Sequence, residues 1–358
     1  MNIIELLEEW YPMKKYLLPL GLAGPGNQIY GIKEALIIAK YLDRTLILPP
    51  IYSHFTVNEW DDVERVGRHD FEEFFNLDYG SRIEKFDYIK HVPCIYSICK
   101  EASTIFDLCY FCKLSESIIL KDRLPKCRKL LKTQVFSSEN DLLELKSLDV
   151  PLLALSGIFN SVVISKCGLN GCSICPLHPF FQNDYIEICK RWDFSEQIKK
   201  EGDELIKKMF GSEPFLSFHL RLTDCPKGTD FKTAYMNWEE TDVWKAITSL
   251  NFKNIYVAMP NSIDIIDSKM FNPNINNQCH SIRTLRSDKG ITARASILEK
   301  YICSKSDLFV MSHRSQGGEG GEGNHRRSTW GTFVRDYRKY FLNNDKNIFI
   351  NSILRSED

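Results

Sequence analysis

No stretch of this 358-residue chain is apolar for long enough to cross a bilayer, which takes about 20 consecutive apolar residues. The longest run near the start, Tyr16 to Ala23, is short and is interrupted by Pro19. There is no basic excess either. Lys and Arg number 46 against 47 Asp and Glu, for a net charge of -1, so nothing points to nucleic acid or an anionic membrane surface as partner. No Asn-x-Ser/Thr acceptor for N-glycosylation occurs. The Gly-rich segment 317–324 lacks the closing Gly-Lys-Ser/Thr of a phosphate-binding Walker loop. A basic region of the secretory type is missing at the start, where Glu5, Glu8 and Glu9 sit instead. The expectation is a cytoplasmic protein if the chain is complete as given, and a lumenal protein of the secretory pathway (ER or Golgi) if a leader precedes it.

What is present in excess is cysteine. Nine of the twelve fall between Cys94 and Cys189, among them the pairs Cys109/Cys112 and Cys172/Cys175. Three readings compete: a disulfide-braced insert, a zinc site built from both pairs, and a set of buried thiols. The even count and the loop-like setting favour at least two disulfides and no metal. The absence of glycosylation acceptors pulls the other way.

Length suits two domains, divided as 1–190 and 191–358. Residues 16–51 read as strand, loop, helix and strand, with the helix over Gln28 to Asp43 and the second strand stopped by Pro49-Pro50. Short helical patches at 70–76 and 139–147 and a strand over Pro151 to Leu155 are the only signals in an otherwise irregular middle. Beyond residue 214 strands and helices alternate. Strands are expected at Phe215–Leu220, Asn254–Met259, Ser281–Leu285 and Asp307–Ser312. Helices are expected near Glu239–Leu250, Ser262–Met270, Thr292–Cys303 and Ser328–Phe341. Such alternation predicts a parallel sheet with helices on both faces, and its ligand beyond the carboxyl ends of the strands.

Three clusters lie on loops at such ends. Gly24-Pro25-Gly26-Asn27-Gln28 joins a strand to a helix; it suits an anion at helix amides, or is a plain turn with Asn27 as N-cap. His219 and Arg221 share one face of a strand exit, with Asp224 just beyond. Arg221 is the cation for a pyrophosphate; the bland alternative is a buried Arg–Asp pair beside a core histidine. Ser328-Thr329-Trp330-Gly331-Thr332 opens the last helix and offers hydroxyls and free amides to a phosphate, or an ordinary cap. Glycine turns, a guanidinium and hydroxyl-capped amides together are what a nucleotide diphosphate needs.

These same residues resemble the GDP-fucose protein O-fucosyltransferases. LAGPGNQIYGIKEALIIAKYLDRTLILPP is similar to that family's opening, FLSFHLRLTD to its His-Leu-Arg strand, and NIYVAM to its Tyr-Val-Ala strand. Ser328-Thr329-Trp330 followed by TFVRDYRKY is similar to its Ser-Ser-Phe motif and final helix. The likeness spans 16–51 and 214–341. It implies an α/β fold of GT-B type, two Rossmann-like domains facing a central cleft. The half 1–190 would then be the acceptor side with a Cys-rich insert, and 191–358 the GDP-fucose-binding side.

It implies inverting, metal-independent transfer of fucose from GDP-fucose to Ser/Thr of a protein, with no cofactor beyond that donor. Arg221 and Asn27 would be catalytic. Gly24, Gly26, Asn27, His219, Arg221, Asp224, Ser328, Thr329 and Trp330 would bind the donor. The run Arg221-Leu222-Thr223-Asp224 also resembles α1,6-fucosyltransferases, so a glycan acceptor is an alternative, and a non-catalytic GDP-fucose-binding protein is another. Three departures stand out: Met259-Pro260 replaces the family's Thr-Asp, 313–327 looks inserted, and the middle of the chain has no counterpart. Glu34, two turns into the first helix, is expected to point away from Asn27.

Overall fold

The computed structural model describes residues 15–20, 24–53, 67–78, 83–84, 109–113, 132–133, 145–147, 149, 152–156, 181–219, 247–258, 281–283, 293–311 and 329–349. The chain divides into two units, one of residues 1–170 and 175–193, the other of residues 171–174 and 194–358.

In the first unit the opening strand β1 (Tyr16–Leu20) leads into helix α1 (Pro25–Leu42). The helix starts three residues before its expected first residue, and Gly24, not Asn27, is its N-cap, without a side-chain cap bond. Pro25 explains the early start. A proline at the first helical position has its φ already set and lacks only an amide that would be orphaned there anyway. Asp43, in the left-handed region at φ 55, closes the helix. Strand β2 (Thr45–Ile47) follows, then a small hairpin of β3 (Ile51–Tyr52) and β4 (Arg68–His69). A four-residue helix α2 (Phe71–Phe74) runs into β5 (Phe75–Leu77), so the helical patch expected at 70–76 ends early and its last two residues are strand.

Strands β6 (Ile83–Glu84), β7 (Cys109–Lys113), β8 (Lys132–Thr133) and β9 (Leu152–Ser156) complete a six-stranded sheet in the order β6-β2-β1-β9-β7-β8. All its pairings are parallel. Strand β7 corrects the reading of the middle as irregular. The stretch Cys109-Tyr110-Phe111-Cys112 is apolar on both faces of a strand, which suits an interior parallel strand and hides its alternation. From β1 the chain goes to β2 on one side and later to β9 on the other, so the order reverses between β1 and β9.

Helix α3 (Gln182–Arg191) packs on α1, and β10 (Trp192–Phe194) pairs with β5. Trp192 meets the edges or faces of Phe71 and Phe75 at 5.3 and 5.5 Å between ring centres. Lys33 of α1, 2% exposed, donates to the Cys189 thiol at 3.3 Å and lies 5.5 Å from the ring centres of both Tyr185 and Trp192. Cys189 is therefore a buried thiol and not half of a disulfide. The side chains of the eight cysteines from Cys94 to Cys175 lie outside the described residues, and the bridges expected there with them.

The second unit begins with helix α4 (Glu196–Phe210), capped by Ser195, whose hydroxyl accepts from the Ile198 amide, and closed by Gly211 at φ 67. Its five-stranded sheet has the order β13-β12-β11-β14-β15, from β11 (Phe215–His219), β12 (Asn254–Ala258), β13 (Ser281–Arg283), β14 (Leu308–Met311) and β15 (Asn347–Phe349). Every pairing is parallel, as the alternating pattern predicts. Helix α5 (Ala293–Lys305) packs on α4. The contact is so close that a β-carbon on Gly202 would lie 2.2 Å from a ring carbon of Tyr301. The last helix, α6 (Thr329–Asp336), widens into a π-helical segment over Tyr337–Phe341. From that segment the fully buried Arg338 donates to the carbonyls of Ser304 and Lys346 and to the Asn347 side chain, each at 3.0 Å. It thereby ties the end of α5 to the edge strand β15. Helices expected over 262–270 and 239–246 fall outside the described residues.

Candidate functional site

An open parallel sheet binds ligands at the carboxyl ends of its strands, where the strand order reverses. In the second unit the reversal lies between β11 and β14, whose last residues are His219 and Met311. These residues pair directly. The start of α6 is laid against this point. Gly331 permits the approach: a β-carbon there would stand 3.3 Å from the Met311 sulfur and 3.6 Å from Nδ1 of His219.

The neighbouring Trp330 stacks on His219, rings 4.3 Å apart and within 9° of parallel. His219 is 7% exposed. Two motifs that the sequence separates by more than a hundred residues thus meet ring to ring. The Thr332 hydroxyl, buried one residue further along α6, has no hydrogen-bond partner among the described residues.

Behind the stack stand two residues that sequence reading passed over. The Ser296 hydroxyl of α5 accepts from Nε1 of Trp330 at 3.2 Å and from Nζ of Lys300 at 3.0 Å. The Lys300 ammonium lies 4.7 Å from the centre of the Trp330 ring. Lys300 is 0% exposed, and burial pushes its ammonium down to about 7 against a partial counter-effect from Glu299 and Cys303. Burial, reinforced by Glu299, pushes the Cys303 thiol well up. A signal for Lys300 was available. It sits in Ile297-Leu298-Glu299-Lys300-Tyr301-Ile302-Cys303, a helical stretch with no room for a wide polar face.

In the first unit the order reverses between β1 and β9, and the loop after β1 carries Gly24, Gly26 and Asn27. The Gly24 carbonyl accepts from the amides of Asn27 and Gln28 at 2.9 and 3.2 Å, the ordinary start of a helix. Gln28 is buried and exchanges two bonds with the backbone of Tyr52, at 3.1 and 2.8 Å, which fixes the start of α1 against β3. Glu34 is buried within α1. Of the other expected site residues, Thr329 opens α6 by its backbone, while Arg221, Asp224 and Ser328 lie outside the described residues. Within the described residues no group of three or more His, Cys, Asp or Glu is placed to hold a metal ion. None of the described helices is long and apolar enough to cross a membrane.

The sequence profile of the GDP-fucose protein O-fucosyltransferases matches residues 22–319. The chain belongs to that family. It is a fucosyltransferase, a glycosyltransferase with GDP-fucose as donor. A search of curated protein sequences gives no match. Among solved structures, POFUT1 in complex with GDP is 16% identical, with 95% of this chain and 98% of that one covered and a TM-score of 0.56. POFUT1 in complex with GDP-fucose gives 16%, 95%, 99% and 0.53. A mutant of FUT1 from Arabidopsis thaliana in complex with GDP gives 12%, 94%, 72% and 0.50. At these identities the likeness is one of fold, and the fold is the α/β GT-B type expected of a GDP-fucose protein O-fucosyltransferase.

Proposed function

We propose that this fucosyltransferase moves fucose from GDP-fucose to a Ser or Thr hydroxyl of a protein, with inversion and without a metal. The observation that carries the reading is the meeting of His219 and Trp330 at the strand-order reversal of the second unit, within a chain that matches the family over 22–319. His219 and Trp330 form an aromatic wall of the nucleotide pocket. Ser328, Thr329 and the first amides of α6 face the phosphates. As the bond from fucose to GDP breaks, negative charge grows on the β-phosphate. Arg221, two residues past the end of β11, meets that charge with a planar fork that stays protonated at any working pH. Asp224 orients Arg221 or touches the acceptor. Gly24, Gly26 and Asn27 shape the loop that attends the sugar and acceptor. Lumenal location in the secretory pathway accords with a protein acceptor.

The test is release of GDP and transfer of labelled fucose, assayed against folded epidermal-growth-factor-like and thrombospondin-type modules and against free glycans. Transfer to a folded module supports the reading. Transfer to the glycan alone would give the acceptor suggested by the run Arg221 to Asp224. GDP-fucose binding without turnover on any acceptor would make the chain a carrier and overturn the catalytic claim.

A further inference from the structure

A lysine with no exposed surface is costly, because the ammonium gives up its water and a methionine of similar length would not. Lys300 gains little local return. Among the described residues no carboxylate stands within ion-pair distance of its Nζ, and its polar contacts are the hydroxyl and carbonyl of Ser296, at 3.0 and 3.5 Å. Its remaining partner is the ring of Trp330, at 4.7 Å.

We propose that Lys300 is a positioning residue of the nucleotide site, one that fixes the indole of Trp330 and, through it, the ring of His219. The proposal rests on the reading of those two rings as pocket residues. Ser296 is the node. Its hydroxyl oxygen has two lone pairs, and the two donors that reach it are Nε1 of Trp330 and Nζ of Lys300. The bond to Nε1 pins the indole edge. The cation over the ring resists tilting, since attraction to the π-face falls away as the face turns. An indole held by edge and face presents one plane, and His219 lies within 9° of it. Gly331, the next residue, lets the pair sit at the end of β11 without a side chain between. Burial that holds the Lys300 ammonium down to about 7 accords with a group kept for its place and not for stability.

The experiment uses the full chain. Lys300→Met removes the charge and donor while filling the space. The expected result has three parts. The ring resonances of His219 shift in the GDP-free protein, because the indole above them moves. Binding of GDP, measured by calorimetry, weakens on the order of tenfold, about 1.4 kcal/mol. The melting temperature stays level or rises, as removal of a buried charge allows, so the changes in the His219 resonances and in GDP binding are not those of a loosened fold. Lys300→Gln, which can still reach Ser296 without charge, recovers part of the binding. Ser296→Ala moves the same readouts, and the double change with Lys300→Met costs less than the sum of the two. Should Lys300→Met fail to fold, Ser296→Ala carries the test alone. Unchanged His219 resonances together with wild-type GDP affinity overturn the proposal. If the wild-type chain itself does not bind GDP, the nucleotide reading fails, and the His219 resonances still decide whether Lys300 sets the stack.

Discussion

Among the described residues each unit buries one lysine on a helix, and the two lysines are held differently. Lys33 in α1 donates to the thiol of Cys189 and lies near the rings of Tyr185 and Trp192, all on the neighbouring α3 and β10. These contacts tie α1 to α3 and β10. Lys300 in α5 donates to a serine of its own helix and lies over the ring of Trp330, which stacks on the last residue of β11. Its contacts lead from the helix layer to the strand ends, where a ligand of such a sheet is bound. The same residue type, equally hidden, thus serves packing in one unit and the candidate site in the other. Burial alone does not distinguish the two; the destination of the contacts does.

That contrast can be broken or sharpened by substitution. The largest effect is expected at Arg221. Arg221→Ala is expected to lower turnover on the order of a hundredfold or more, as loss of one preorganised electrostatic group does. Lys is expected to rescue poorly because a point charge does not replace the fork. Labelled-fucose transfer by well-folded protein is the measurement, and near-normal turnover would mean that chemistry does not reside in the second unit.

Next comes the pH dependence of stability imposed by Lys300. Its folded value is depressed to about 7 from an ordinary 10.5. Between those values the unfolded chain holds the proton and the folded chain does not, so stability rises with pH, by up to about 1.4 kcal/mol per unit. Below about 7 both forms are protonated, and the cost is full and constant. Denaturant melts of wild type and Lys300→Met across pH 7 to 10 should therefore converge as pH rises. Parallel curves would show that Lys300 is not the buried charge that the contrast requires.

A third effect tests the frame that presents α5. Gly202→Ala should destabilise by about 1–3 kcal/mol through overpacking against Tyr301, read as a drop in melting temperature. The smallest effect is expected at Lys33. Lys33→Met should leave KM for GDP-fucose and kcat within about twofold of wild type and change stability by no more than about 1 kcal/mol, since a buried charge and a hydrophobe of similar volume often exchange near-neutrally. A marked rise in KM at Lys33→Met would erase the distinction between the two lysines.

The second unit was the more legible half. Strands β11, β12 and β14 are apolar runs bounded by polar or turn residues, and the structure places them within a residue or two of expectation. Helix α1 was readable for its 3.6-residue spacing, while its first turn was misread because Asn27 looks like a cap and Pro25, with its φ already set, begins the helix earlier. Helix α4 went unread although its signals were present, Ser195 before and Gly211 after. Strand β7 escaped because its cysteines suggested a loop chemistry, when the stretch Cys109–Lys113 is a strand paired on both sides. At the site, the separate motifs could be found by residue type. Their contact could not, since nothing local to His219 says that Trp330 will cover it. Lys300 was passed over for a different reason: a lysine is ordinarily read as solvated, and only the mostly apolar stretch around it argues otherwise.

The central pairing of the first sheet, Tyr16 to Leu152 through Leu20 to Ser156, joins strands with the whole of 21–151 between them. A ribosome must therefore deliver residue 152 and beyond before β1 can find its main partner. Until then β1 and β2 are a parallel pair with an unfilled edge, the kind of edge that recruits other chains. Distant parallel pairings also close slowly, because the loop entropy is lost before the contacts form. The place of β9 in the sheet thus sets a timetable: folding of the first unit waits on nearly half the chain.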